Sequence, residues 1–207
     1  MLRASKLAIL DGVYLWPGAL NTKVQRALVT EILEKVEQAP FYKPVMPGSG
    51  KSFSVEETNF GSLGWISDRQ GYRYEPVHPV TKKSWPAIPQ SLLDLWDATT
   101  RYAAPPECCL VNLYRGPAKM GLHQDKDEAA LGAPVLSVSL GDDALFRIGG
   151  TRRKDATRSL KLGSGDVLIF GGPARLAYHG IDRVMAGTSR LIPGGGRINL
   201  TLRRVNH

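Results

Sequence analysis

The sequence predicts a mainly β protein with flanking helices, of sandwich, barrel or jelly-roll type. Three observations predict it. Downstream of Pro105-Pro106, seven short apolar or alternating runs succeed one another, at 108–115, 134–140, 144–148, 160–162, 167–170, 177–181 and 197–205. Turn residues separate most of them, at Gly141-Asp142-Asp143, Gly149-Gly150, Gly163-Ser164-Gly165-Asp166, Gly171-Gly172 and Pro193 to Gly196. Many short strands punctuated in this way make a two-sheet or closed β architecture. Helical periodicity is confined to two segments upstream.

The elements follow in order. Leu7 to Leu15 is apolar and reads as one strand, closed by Trp16-Pro17-Gly18. Asn21 can cap a helix running to about Gln38, with Val24, Leu28, Ile32 and Val36 at every fourth position and Leu33 widening the stripe. Pro40 stops it. From Phe41 to Pro86 the texture changes to Gly, Pro, Ser and aromatics (Phe53, Phe60, Trp65, Tyr72, Tyr74, Trp85) interleaved with Lys43, Lys51, Arg69, Arg73, Lys82 and Lys83. A long loop-rich segment inside a compact protein serves as a lid or binding surface. Aromatics among cations suit base stacking beside phosphate contacts. The bland reading is that these rings fill a small core under a loop. Pro89 to Ala103 reads as a second helix through Leu92, Leu95, Trp96 and Ala103.

Composition bounds the function. The chain has 207 residues, 43% hydrophobic and 22% charged, with a net charge of +8. That excludes a disordered chain and favours polyanion partners, nucleic acid above all. The two cysteines, Cys108 and Cys109, are adjacent in an apolar run, so they read as buried thiols in a reducing compartment. No run of about 18 apolar residues predicts a membrane span, and no signal peptide is evident. The expectation is a soluble cytoplasmic protein, monomeric, with no membrane partner.

Chemistry concentrates in Gly121-Leu122-His123-Gln124-Asp125. In an extended segment, residues i and i+2 share a side, so His123 and Asp125 can face one ion. His179 follows a later strand. Two imidazoles and one carboxylate make the facial triad of non-haem Fe(II) oxygenases. Against this, a His-x-Asp tripeptide is common in surface loops. In the last strand, Arg197, Asn199, Thr201 and Arg203 alternate with Ile198, Leu200 and Leu202. The polar face is solvent on an ordinary sandwich, but lines the cavity in a jelly roll that opens around a ligand. Two arginines there match a small dicarboxylate through bidentate pairing. Asn112 and Tyr114 share a face of the strand before the metal motif and can bond the same ligand. Gly48-Ser49-Gly50-Lys51-Ser52 mimics a phosphate loop, but Val45 stands where the motif needs glycine, and no strand precedes it.

Taken together, Asn112-Leu113-Tyr114, His123-Gln124-Asp125-Lys126-Asp127, His179 and Arg197-x-Asn199-x-Thr201-x-Arg203 resemble the AlkB family of Fe(II)/2-oxoglutarate-dependent dioxygenases. Gly64-Trp65 with Arg69-Gln70-Gly71-Tyr72, Ser137 to Gly141 and Gly165-Asp166-Val167 also fit, so the resemblance spans about Gly61 to Arg203. It implies a double-stranded β-helix core with an N-terminal nucleotide-recognition lid: an extension over 1–40, the lid over 41–86 and the core over 87–207. It implies that His123, Asp125 and His179 hold Fe(II). It implies that Asn112, Tyr114, Arg197, Asn199 and Arg203 bind 2-oxoglutarate, Arg203 nearer the iron end, with O2 as the oxidant and no separate acid or base. Trp65, Tyr72, Asp127 and Arg153 would contact the substrate. Lys119, Lys126 and Arg158 are further candidates for phosphates. The implied activity is oxidative demethylation of 1-methyladenine and 3-methylcytosine, releasing formaldehyde, succinate and CO2. The implied partner is single-stranded DNA, with double-stranded DNA or RNA as alternatives. An AlkB-like oxygenase acting on tRNA or RNA, another 2-oxoglutarate hydroxylase acting on protein or a small molecule, and a non-enzymatic jelly-roll module are the competing readings.

Overall fold

The structure is a computed structural model and describes residues 5–207. Its elements are β1 (Leu7–Leu10), β2 (Val13–Trp16), α1 (Thr22–Gln38), β3 (Glu56–Gly61), β4 (Gly64–Asp68), β5 (Gly71–Glu75), α2 (Gln90–Thr100), β6 (Cys108–Tyr114), β7 (Met120–His123), β8 (Val135–Gly141), β9 (Asp143–Ile148), β10 (Arg158–Leu162), β11 (Val167–Phe170), β12 (His179–Met185) and β13 (Arg197–Arg203). A seven-stranded sheet runs β1-β2-β11-β8-β13-β6-β3, a four-stranded sheet runs β10-β9-β12-β7, and β4-β5 form a separate hairpin. All pairings are antiparallel. The two larger sheets enclose an apolar core and make the jelly roll, or double-stranded β-helix.

Two cores follow from the period-2 alternation of the strands. On one face of the seven-stranded sheet, Val111, Leu113, Val138, Leu140, Ile198 and Leu200 pack against Leu28, Val29 and Ile32 of α1 and Leu92, Leu95 and Trp96 of α2. Between the sheets lie Val135, Leu168, Phe170, Phe146, Ile148 and Ile181. The helices therefore take the apolar face of β13. Its polar face is turned inward, and Arg197, Asn199, Thr201 and Arg203 are all buried. Adjacent Cys108 and Cys109 point to opposite faces of β6. Both are buried and free, as expected for inert thiols.

The structure corrects several local expectations. Leu7 to Leu15 is a hairpin, not one strand. It turns at Gly12, with φ +79°, where a Cβ would meet Gly171 O at 2.3 Å. Helix α1 is capped by the Asn21 side chain on Val24 N as anticipated, but Val24 and Leu33 are exposed and Val29 takes the inner face. The contact surface is thus rotated relative to the simple fourfold pattern. Helix α2 ends at Thr100, with Arg101 left-handed, and Ala103 lies outside it, exposed. The segment from Phe41 to Pro86 is loop-rich, with 30 of its 46 residues outside the strands, but it is not without regular structure. It contains β3, which edges the large sheet, and the β4-β5 hairpin. Residues Glu57 to Phe60 are buried on both faces, and three of the four are polar, which erases the alternation a sequence scan looks for.

Candidate active site

Strands β7 and β12 pair so that His123 and His179 are direct cross-strand partners. That register places their rings 4.5 Å apart, centroid to centroid. The strands approach closely because Gly180 has no side chain; a Cβ there would meet Met120 O at 2.5 Å. Asp125 follows just past the end of β7. Its Oδ1 lies 3.7 Å from His123 Nε2, and its Oδ2 lies 3.9 Å from His179 Nε2. One ligand atom from each of the three residues falls within 4.8 Å of the others, so the set could hold a metal ion.

Each imidazole is prepared for that task. Nδ1 of His123 faces Gly121 O at 2.9 Å, and Nδ1 of His179 faces Ala177 O at 2.9 Å. A carbonyl only accepts, so Nδ1 carries the proton and the Nε2 lone pair is free. Phe170 and Phe146 pack on His179. Burial, aided by His123, lowers the His179 pKa to about 4, which keeps the ring neutral at working pH.

Asp125 is fixed by two arginines. Arg203 donates to it twice, Nη2 to Oδ1 at 2.8 Å and Nε to Oδ2 at 3.1 Å. Arg175 donates from Nη1 to the Asp125 backbone O at 2.6 Å and from Nη2 to Glu128 Oε2 at 2.9 Å. Burial alone would raise the Asp125 carboxyl, but Arg203 outweighs it and holds the group well below the usual carboxylate range. Tyr74 of β5 bonds Glu128, tying the hairpin to this network. Sequence reasoning missed Arg175, Glu128 and Tyr74. Nothing in the local pattern marks them, because their partners lie 47 to 54 positions away.

Arg197 lines the same cavity as the two imidazoles. It is 1% exposed and donates from Nη2 to Ser139 Oγ at 3.0 Å, while its Nε and Nη1 have no partner among the described residues. The guanidinium lies 5.4 Å from the centre of the Tyr114 ring. An unpaired buried guanidinium costs several kcal/mol, and a carboxylate is the ligand that would satisfy it. Asn112 also presents an unpartnered Oδ1. Asn199 is different, since its amide is already engaged by Ser137, Val138 and Thr201. All of these groups line one cavity of about 700 Å³, which also reaches Trp65, Tyr72, Asp127 and Arg153.

A model of the "2OG-Fe(II) oxygenase superfamily" matches residues 12–203. The chain is 57% identical to an alpha-ketoglutarate-dependent dioxygenase AlkB homolog of Caulobacter vibrioides, over 97% of this chain and 91% of that one. The chain belongs to the AlkB family. It is also 47% identical to the alpha-ketoglutarate-dependent dioxygenase AlkB of Escherichia coli, across 86% of this chain and 83% of that protein. A shorter match, 42% identical over 48% of this chain, reaches 24% of an Arabidopsis thaliana protein named DNA N(6)-methyladenine demethylase ALKBH1C. Among solved structures, that of OsALKBH1 superposes with a TM-score of 0.81 at 31% identity, covering 97% of this chain and all of that one. This AlkB-family protein is therefore a dioxygenase that uses Fe(II), with 2-oxoglutarate and O2 as co-substrates. The free Nε2 pair beside Asp125 fits the metal, and the unpaired Arg197 fits the co-substrate carboxylate.

The cavity mouth of this AlkB-family enzyme is aromatic and charged. Trp65 and Tyr72 stack at 5.4 Å and 17°, and Trp65 Nε1 donates to Asp127 Oδ2 at 2.8 Å. Asn59 of β3 holds the Trp65 backbone through both its N–H and its C=O. Arg153 reaches Leu122 O at 3.3 Å and lies 5.8 Å from the Tyr178 ring centre. Lys119 and Lys126 rim the same opening, but Arg158 does not. It sits on β10, with Nη1 3.4 Å from Ile9 O, and is absent from the cavity lining. The false phosphate loop forms a tight turn closed by a bridge between Val45 and Ser52, and Lys51 and Ser52 rim the cavity. No helix of the described residues is long and apolar enough to cross a membrane.

Proposed function

We propose that this dioxygenase oxidatively demethylates N-alkylated nucleobases, 1-methyladenine and 3-methylcytosine, and so repairs alkylated nucleic acid directly. The observation that carries the reading is one cavity that joins a His-Asp-His cluster, an unpaired buried Arg197 and a mouth of stacked aromatics. The net charge of +8 supports a polyanionic substrate. In this reading single-stranded DNA is the preferred strand, the enzyme works as a monomer in the cytoplasm, and residues 41–86 act as the lid beside a 1–40 extension and an 87–207 core. Strand β3 belongs to the large sheet, which leaves the loops and the β4-β5 hairpin as the lid proper.

His123, Asp125 and His179 would hold Fe(II), which with 2-oxoglutarate and O2 would supply the oxidising power for hydroxylation of the N-methyl carbon. Arg197 takes the distal carboxylate of 2-oxoglutarate, with Tyr114 and Asn112 alongside. Arg203 holds Asp125 in its charged form, and its Nη1 donates to the Tyr74 hydroxyl at 3.4 Å. Asn199 orders Ser137 and Thr201 next to the co-substrate. The target atom is unreachable within a base stack, so the base must be extruded. Trp65 and Tyr72 stack on it, Asp127 offers a negative charge to the cationic ring, and Arg153 contacts the strand. No side chain acts as a separate acid or base.

The test is anaerobic loading with Fe(II) and 2-oxoglutarate, followed by O2 and a single-stranded oligonucleotide carrying one 1-methyladenine, read by mass spectrometry. Loss of one methyl mass that depends on 2-oxoglutarate is expected. Succinate formed while the methyl is retained would move the substrate to tRNA, protein or a small molecule.

A further inference from the structure

Glu57 is a buried acid to which nothing above gives a role. It sits on β3 at 0% exposure, and neither carboxyl oxygen has a hydrogen-bond partner among the described residues. Its backbone N–H and C=O are both bonded to Tyr42, so the strand does not need the side chain. Yet the residue lines the same cavity as the His-Asp-His cluster.

Its position is informative. Glu57 is the cross-strand partner of Asn112, whose Oδ1 is also unpartnered. Two residues along the same face, Asn59 holds the Trp65 backbone. Glu57 therefore stands on the edge strand of the sheet, at the end of the row that contains Asn112 and Asn199 and two residues from the anchor of the aromatic lid. The alternate residues Thr58 and Phe60 point the other way, into Ala39 and the helix-covered core. The titratable groups coupled to Glu57 are Arg203 of β13, the Tyr114 phenol of β6 and the Tyr42 phenol, whose hydroxyl is buried without a partner among the described residues. Burial pushes the carboxyl up to about 8, with only partial relief from Arg203.

A buried polar group left without a partner needs an explanation, and an absent ligand is one. 2-Oxoglutarate is a poor partner, because a dianion beside a carboxylate adds repulsion. A cation is a good one: it would draw the proton off Glu57 and pair with the anion in a site shielded from water. Asp127 offers one carboxylate at the lid, already engaged by Trp65. Glu57 offers a second from the sheet.

We propose that Glu57 is a specificity-determining residue that supplies a counter-charge from the sheet side of the cavity, so that the enzyme favours alkylated bases bearing a formal positive charge over neutral ones. This rests on the nucleobase-demethylase reading and states how that site reads its substrate. The charge, rather than the methyl group alone, becomes part of what is recognised.

The experiment compares kcat/KM on single-stranded oligonucleotides carrying either 3-methylcytosine, which is cationic, or 3-methylthymine, which is neutral. Wild type, Glu57→Gln and Glu57→Leu are measured, with thermal melts to confirm folding. Glu57→Gln keeps the shape and removes the charge. It is expected to lower kcat/KM on 3-methylcytosine by about tenfold or more, as for a charge-assisted contact, while the value on 3-methylthymine stays within about twofold. Should the Gln variant fail to fold, the Leu variant reads the same ratio. Equal losses on both bases would overturn the proposal and make Glu57 a packing residue, and so would no loss on either. If wild type forms succinate but demethylates neither base, the demethylase reading itself fails and the Glu57 proposal falls with it. Demethylation by wild type with an unchanged ratio in the variants sinks only the role of Glu57.

Discussion

Arg203 grips Asp125 with two parallel hydrogen bonds, 2.8 and 3.1 Å, and both residues are almost completely buried. This pairing keeps a carboxylate ionised and correctly aimed in a site where burial opposes charge. Breaking a buried pair by removing one partner costs about 3–5 kcal/mol. Arg203→Met should therefore lower the melting temperature and weaken Fe(II) binding by about 10- to 100-fold, as for loss of a group that orients a metal ligand. Metal titration of the apoprotein checks it, and unchanged affinity would mean that Asp125 does not bind the ion.

His123→Ala and Asp125→Ala should each abolish turnover while leaving the far-ultraviolet circular dichroism of wild type. His123 ends β7 and Asp125 lies just past it, outside the helix-packed core, so both variants should keep the β fold, although Asp125→Ala leaves Arg203 buried without its carboxylate and should melt lower. Full activity in either variant would end the metal assignment.

Arg197 carries two unpaired buried nitrogens, so its removal should act in opposite directions on stability and on function. Arg197→Met removes a buried cation without a counter-charge, whose desolvation costs several kcal/mol. The apoprotein should melt no lower than wild type, while KM for 2-oxoglutarate rises about tenfold or more. A variant that melts much lower and keeps its KM would show Arg197 to be structural.

Trp65→Ala should weaken binding of a methylated oligonucleotide by about 5- to 100-fold, the range of one base-stacking contact. Succinate formation without oligonucleotide should fall much less. Trp65 is only partly buried and stacks on an exposed Tyr72, which is why this outcome is expected rather than collapse of a core. Equal effects on the two readouts would make it a packing residue.

Glu57 also predicts a pH dependence of stability. Its carboxyl is pushed up to about 8 in the folded chain, against 4.5 ordinarily. Below about 4.5 it is protonated in both states. Between 4.5 and 8 the unfolded chain ionises and the folded chain does not, so stability falls as pH rises through this window, by on the order of a few kcal/mol in all. Glu57→Gln removes the effect. Its melting temperature relative to wild type should climb from pH 5 to pH 8, and a constant difference would show that Glu57 does not titrate there.

The local alternation of β13, the Asn21 cap of α1 and the pairing of His123 with Asp125 were all legible in the chain itself, because each depends on residues within a few positions. The resemblance carried by the Arg197 to Arg203 run led to the correct fold class and family. Strand β3 was not legible, since its buried polar residues mimic a loop composition. Arg158 looked like Arg153 in sequence, yet it lies on β10, outside the cavity.

Sequence determined which residues share a face, because the period of a strand is local. It could not decide which face looks inward. That depends on where α1, α2 and the second sheet settle, and they cover the apolar side of β13 and leave its arginines to the cavity. Tertiary structure alone joined Arg203 to Asp125 across 78 positions and set the register that makes His123 and His179 cross-strand partners. It also left two nitrogens of Arg197 and the carboxyl of Glu57 buried without partners among the described residues, and only their packing surroundings make those groups a site.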